Sequence, residues 1–307
     1  AFSQIPDLPN VPDATRTPIY PFFITLFHFL KLPGYSIVIT QSFIAAYTGT
    51  LLAHIVSTTV SKRLFWAAIG LYALDLPSLF FANTVLTETL FTALLLTALL
   101  FCMLAIRKER LLFMAIAGML LATAGLTRPI ALHLLWILPL TLLIIRRNFR
   151  NHAIIVFVTG IGSISPWALR NHLTFGTWSI STITEVNLLF HTATAIKSQH
   201  SSKTQKQEEY HYRDFMLGDL NFYENSSVVP FQKRAREEFL SQVTQHPQTF
   251  VKLWSKGLVS FCFKPLRSYL QEQLGTRQPE KNFGMMASLK NLPQYIKSLS
   301  KGEITSI

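Results

Sequence analysis

Charge is what this sequence has least of. Only 14% of its 307 residues are Asp, Glu, Lys or Arg, and half are hydrophobic. A soluble globular domain carries roughly 25% charged residues, so the composition excludes an ordinary soluble protein along the whole chain. Cysteine is scarce too: Cys102 lies in an apolar block and Cys262 in a polar region. Two cysteines so placed define neither a disulfide framework nor a metal site. No segment combines a basic start, a short apolar run and a small-residue cleavage site, so no signal peptide is read. Internal repeats, common in transporters, are not evident. Acidic residues number 16 against 28 Lys and Arg, a net charge of +12. Much of that excess sits in short loops between apolar blocks, where basic residues orient membrane proteins, so no nucleic-acid partner is expected.

What is present is a series of apolar blocks between Pro18 and Leu169. About 20 apolar residues cross a bilayer as a helix. Five or six segments qualify, some with help from their flanks: 36–56, 64–83, 85–106, 111–126, 130–145 and 153–169. The expected fold is all-α, a polytopic transmembrane helical bundle with a mixed, mainly helical outer C-terminal region. Residues 1–35 are expected to form an outer loop and an interfacial helix, 36–169 the bundle of about six helices, and 170–307 a non-cytoplasmic region. Proline at 18, 21 and 33 brackets the apolar segment 19–32, which is too short to span comfortably. Phe250, Leu253, Trp254, Leu258 and Phe261 recur at helical spacing, with lysines between or after them. This predicts a helix near 249–264, resting either on the membrane surface or in a small soluble core. Residues 198–210 are polar and read as a loop.

Loop charge sets the orientation. Lys62-Arg63, the run from Arg107 to Arg110, and Arg146-Arg147 with Arg150 all fall on one side if every span crosses. By the positive-inside rule that side is cytoplasmic. The exceptions stand on the other side. Arg16 lies in Asp13-Ala14-Thr15-Arg16-Thr17-Pro18, Arg128 in Leu126-Thr127-Arg128-Pro129, and Arg170 in Pro166-Trp167-Ala168-Leu169-Arg170-Asn171. One such arginine reads as snorkelling to headgroups. Three, each near a proline or tryptophan in a short loop, point to an anionic ligand, because the planar guanidinium suits phosphate oxygens. Glu88, in Thr87-Glu88-Thr89, opens the third expected span. A carboxylate there serves as a helix N-terminal group through the macrodipole and also as a candidate general base. Asp75, two residues before Pro77 in mid-span, reads as a protonated group bonded to a neighbouring helix.

Three pieces in this order resemble the GT-C class of membrane glycosyltransferases, in the branch of protein O-mannosyltransferases and aminoarabinose transferases. They are the run Pro12 to Pro21, the run Ala82 to Phe91 with its Thr-Glu-x-Leu-Phe pattern, and the pair Gly125 to Pro129 with Pro166 to Asn171. The likeness covers about residues 10–180. It implies transfer of a sugar from a polyprenyl- or dolichyl-phosphate donor to a lipid, glycan or protein acceptor outside the cytoplasm, with membrane lipids around the chain. It implies catalytic roles for Asp13 and Glu88, donor-phosphate contacts for Arg16, Arg128 and Arg170, and a substrate cavity touched by Tyr20 and Asn171. No protein metal ligands are assigned; a divalent metal is optional. The implied location is a bacterial inner membrane, with the active face toward the periplasm or exterior. The family's usual catalytic aspartate lies early in its first outer loop, so the chain is expected to be an internal fragment of a longer enzyme or a degenerate copy of one. The competing expectation is a transporter or flippase of a lipid-linked precursor, with Asp75 and the outer arginines lining the pathway.

Overall fold

The apolar blocks fold as helices. Residues 14–145, 147–219 and 227–259 are described by the structure, a computed structural model, and helix is the only regular structure among them. Asp13 and Arg146, and the part of the expected C-terminal helix beyond residue 259, lie outside the described residues. The chain divides into two compact units. Of the described residues, one comprises 20–93 and the other those within 14–19 and 94–259.

The first unit contains α1 (Ile19–Phe29, apart from its first residue), α2 (Tyr35–Thr59), α3 (Phe65–Ala73), α4 (Leu76–Ala82) and the opening turns of α5 (Glu88–Lys108). The apolar run 64–83 is not one continuous span. It breaks between α3 and α4, which meet at 64°. Asp75 sits at the break in an extended conformation, φ −76° and ψ 93°. It occupies the N-cap position of α4, and the Ser78 hydroxyl donates to its carboxylate. Pro77 lies in the first turn, where a missing N–H costs nothing. The aspartate therefore bonds its own chain and starts a new helix, rather than reaching a neighbouring helix from mid-span. Gly49 of α2 is required by close packing. A Cβ there would lie 2.9 Å from the Tyr72 ring carbon Cε1.

The second unit packs the rest of α5 with α6 (Leu111–Gly125), α7 (Leu134–Ile145) and α8 (Arg150–Phe175). Its core joins Ala98, Cys102, Met114, Ala117, Leu121, Leu135, Leu142, Ala153 and Val156. Small residues let α6 and α8 touch along their backbones: a Cβ on Gly118 would lie 2.6 Å from the Val156 carbonyl. Such small-residue contacts hold helices together where lipid removes the hydrophobic drive. Residues 129–133 form a 3-10 turn before α7, so the expected helix over 130–145 begins four residues late. α8 runs past its expected end at 169 and stops at Gly176, whose φ of 73° suits a residue without Cβ.

Among the described residues, three helices are long and apolar enough to cross a membrane: α2, α5 and α8. The number is four if the bent pair counts as one span. α6 and the 129–145 segment fall short of the length required. Large apolar side chains such as Trp66, Leu71, Leu74, Ile144 and Leu173 stand more than 70% exposed. Exposed apolar surface on this scale calls for a covering phase or partner.

Beyond α8 the second unit continues through α9 (Ile183–Val186), a π-helical stretch at Asn187–Ala193, α10 (Thr194–Ser198), α11 (Gln205–Asp219), α12 (Val228–Gln245) and α13 (247–259). The expected loop over 198–210 is replaced by α11 from Gln205 on. A reciprocal cap starts it: Gln207 Oε1 accepts from the Thr204 N–H at 2.8 Å, and the Thr204 hydroxyl accepts from the Gln207 N–H at 3.3 Å. Leu189, Phe190, Tyr212, Phe231 and Ala235 form a small core. Two buried carboxylates around it each meet a partly exposed base. The Arg236 Nε donates to Glu185 at 3.0 Å, and Lys197 lies 3.7 Å from Glu208. On α13, Val251, Trp254, Leu258 and Val259 are exposed, while Phe250 packs edge-on to Phe239.

Candidate functional site

Three chain segments that are far apart in sequence are stitched together in the second unit. Residues 14–19 are the thread. On one side, the Thr17 hydroxyl donates to the Thr127 carbonyl at 2.8 Å, and the Ile19 N–H donates to the Leu126 carbonyl at 3.1 Å. On the other side, the Thr182 N–H donates to the Ala14 carbonyl at 3.0 Å, and the Thr15 and Thr182 hydroxyls pair at 3.1 Å. The Ser181 hydroxyl donates to the Thr15 carbonyl. The 179–182 segment is in turn tied to the end of α8. The Trp167 indole donates to the Ile180 carbonyl at 3.1 Å, and the Asn171 amide donates to the Ser179 carbonyl at 2.8 Å.

This lattice brings the three arginine-bearing segments to one end of the unit. Arg16 lies between the two anchored threonines and is exposed. Arg128 follows Thr127 directly. Its extended conformation, φ −141°, is the one a residue before proline prefers. Arg170 sits with its guanidinium carbon 4.7 Å from the Trp167 ring centre and 4.9 Å from that of Phe175, and donates to Asn171 Oδ1 at 2.8 Å. Stacking and one hydrogen bond fix the plane of the fork while leaving it partly exposed. Arg110, just before α6, and Arg150, the first residue of α8, stand at the ends of those helices away from the stitched segments.

Asn171, expected to line a substrate cavity, is engaged within the protein. Its side chain is 1% exposed, and both its amide nitrogen and its oxygen are engaged within the protein. It is a clasp that positions Arg170 and the 179–182 segment.

Glu88 and Tyr20 belong to the first unit. Glu88 is the first residue of α5, and the Thr87 hydroxyl donates to its carboxylate at 3.3 Å. Tyr20, near the start of α1, is buried. Burial first, and then the charge of Glu88, hold its phenol above the ordinary tyrosine range; the Gln41 amide acts in the opposite direction. Tyr20 therefore keeps its proton and is available as a donor. Gln41 is wholly buried in α2, and its Nε2 donates at 3.0 Å to the carbonyl of Leu86, two residues before Glu88. Sequence reading missed Gln41. The available signal was a glutamine inside an otherwise apolar run, where an uncompensated amide is costly.

Among the described residues, no group of three or more His, Cys, Asp or Glu side chains is placed to hold a metal ion. No family model, no curated protein and no solved structure matches this chain.

Proposed function

We propose that this chain is part of a membrane glycosyltransferase of the GT-C kind, which moves a sugar from a polyprenyl- or dolichyl-phosphate donor to an acceptor on the non-cytoplasmic side. The observation that carries this reading is the convergence of the segments bearing Arg16, Arg128 and Arg170 at one end of the second unit, through Thr15, Thr17, Thr182 and Asn171. Guanidinium groups at a membrane boundary suit a lipid-linked phosphate.

In this reading the helices form a polytopic bundle, with the clusters at Lys62-Arg63, Arg107 to Arg110 and Arg150 on the cytoplasmic side. The bundle lies in a bacterial inner membrane, with the arginines toward the periplasm. The acceptor oxygen forms a bond to the anomeric carbon as that carbon's bond to the phosphate oxygen breaks, with inversion. The phosphate leaves with the bonding electrons, and the arginines stabilise its charge. The acceptor proton passes to a carboxylate, for which Glu88 and Asp13 are the candidates. A divalent metal is not required by this scheme.

The direct test is transfer of radiolabelled sugar from a panel of polyprenyl-phosphate sugars in membranes containing the protein. The reading predicts transfer from at least one donor, and its loss in Arg128→Ala and Glu88→Gln. No transfer from any donor in the panel counts against it.

A second reading, a flippase for a lipid-linked precursor, draws on the break at Asp75, because discontinuous helices mark many transport sites. It predicts movement of a fluorescent polyprenyl phosphate across proteoliposomes, abolished by Asp75→Asn. The transferase reading predicts no such movement.

A further inference from the structure

Sequence alone leaves two places for the helix over 249–264, a membrane surface or a small soluble core. The second does not hold for its described part, α13. The small core of this unit is built from Leu189, Phe190, Tyr212, Phe231 and Ala235, and no described residue of α13 joins it.

The first turn of α13 is nonetheless seated. His246 ends α12, its N–H donating to the Gln242 carbonyl at 3.0 Å. Pro247 then opens α13, at a position where a missing N–H costs nothing. The Phe250 N–H donates to the His246 carbonyl at 3.1 Å. The His200 ring lies nearly parallel on the His246 ring, with centres 3.8 Å apart, and its Nε2 pairs with the Thr249 hydroxyl at 2.8 Å. With Phe250 against Phe239, these contacts fix the direction in which the helix leaves the unit.

Beyond that turn α13 has two unlike sides. Val251, Trp254 and Leu258 recur at helical spacing and form one stripe. They are 61%, 61% and 52% exposed. Lys252 and Lys256, one turn apart, stand exposed on the other side. The chain has no Asp or Glu between Glu238 and Glu272, while Lys252, Lys256, Lys264 and Arg267 fall within that stretch.

This chemistry selects what covers the stripe. An apolar stripe with basic residues behind it is the pattern of a helix lying in a bilayer surface. Tryptophan suits that level, because its ring is apolar and its N–H polar. A bilayer is at hand, since α8 of the same unit is long and apolar enough to cross one. An apolar protein partner would match the stripe and leave the basic stretch without a counterpart; an anionic bilayer meets both. We infer that α13 lies along an anionic bilayer surface, with Val251, Trp254 and Leu258 entering the headgroup region. Its lysines add a diffuse attraction and hold no single lipid. The inference is independent of the transferase reading.

Depth measurement tests it. In the full chain carrying Cys262→Ser, whose remaining Cys102 is buried, a nitroxide is placed in turn at Val251→Cys, Leu258→Cys and Lys256→Cys. The protein is held in phosphatidylcholine nanodiscs with and without phosphatidylglycerol. Relaxation by oxygen, which concentrates in lipid, is compared with relaxation by a water-soluble nickel chelate. With phosphatidylglycerol present, oxygen is expected to dominate at 251 and 258, and the nickel chelate at 256. Trp254→Ser is expected to lower the docked-to-free ratio read at 258 about tenfold. Because Trp254 is exposed in the protein itself, that variant should keep its melting temperature; a helix held in a protein core would lose stability. Raised salt, or removal of phosphatidylglycerol, is expected to lower the docked fraction. Equal nickel access at all three positions overturns the inference. So does protection of 251 and 258 from both reagents, which marks a protein cover, with spin–spin broadening identifying a second copy of the chain. An unchanged docked fraction without phosphatidylglycerol overturns the anionic surface. Loss of sugar transfer with this depth pattern intact removes the transferase and leaves α13 on the bilayer.

Discussion

The hydroxyl of Thr17 donates to the carbonyl of Thr127 at 2.8 Å, a buried bond between residues 110 positions apart in sequence. It joins the segment carrying Arg16 to the turn carrying Arg128. Thr17→Val keeps the side-chain shape and deletes the donor. It should cost about 1–2 kcal/mol, read as a fall in melting temperature in detergent. Thr17→Ser should lose less, since it keeps the hydroxyl.

Glu185 and Arg236 make a second long-range prediction. The Glu185 side chain is 2% exposed and takes two hydrogen bonds from the Arg236 guanidinium, whose side chain is 59% exposed. Arg236→Ala leaves a buried carboxylate without its countercharge. The cost should be about 2–3 kcal/mol, toward the low side for a broken buried pair because the arginine is half in solvent. Adding Glu185→Gln to that variant should restore part of the loss. Chemical denaturation of the single and double variants checks the order.

Tyr212 predicts a pH dependence. Burial first, then its hydrogen bond to Glu238 and the charges of Glu238 and Glu208, raise its phenol above the ordinary tyrosine range. The folded state therefore holds this proton more tightly than the unfolded chain does. The resulting stability is fully present below the unfolded value of about 10 and is lost as pH rises above it. Melting temperature should fall above about pH 10 more steeply in the wild type than in Tyr212→Phe. Equal slopes would show that this proton is not linked to folding.

Hydropathy made α2, α5 and α8 legible, because their apolar runs are long and end at charged, proline or glycine residues. It hid the break at Asp75, since Leu-Asp-Leu-Pro keeps the average hydropathy high while one extended aspartate and one proline redirect the chain. α11 was missed for the converse reason. Its first turn is wholly polar, and the Thr204 and Gln207 cap that starts it lies in what reads as a loop. The order of Arg16, Arg128 and Arg170 could be read from the sequence. The hydrogen bonds that join their segments could not, because they pair residues 110 and 167 positions apart through threonine and backbone groups with no sequence pattern. The hydrogen bonds of Asn171 to Arg170 and to the Ser179 carbonyl were likewise not legible in the sequence.

Binding of the lipid phosphate itself tests the arginine site most directly. Undecaprenyl phosphate is titrated into the full chain in phosphatidylcholine nanodiscs, and bound lipid is counted by native mass spectrometry. The proposed site predicts one retained lipid in the wild type, at least about tenfold weaker retention in Arg128→Ala and in Arg16→Ala, and unchanged retention in Lys252→Ala on α13. Equal retention by the wild type and both arginine variants would contradict a phosphate site at the stitched end of the second unit.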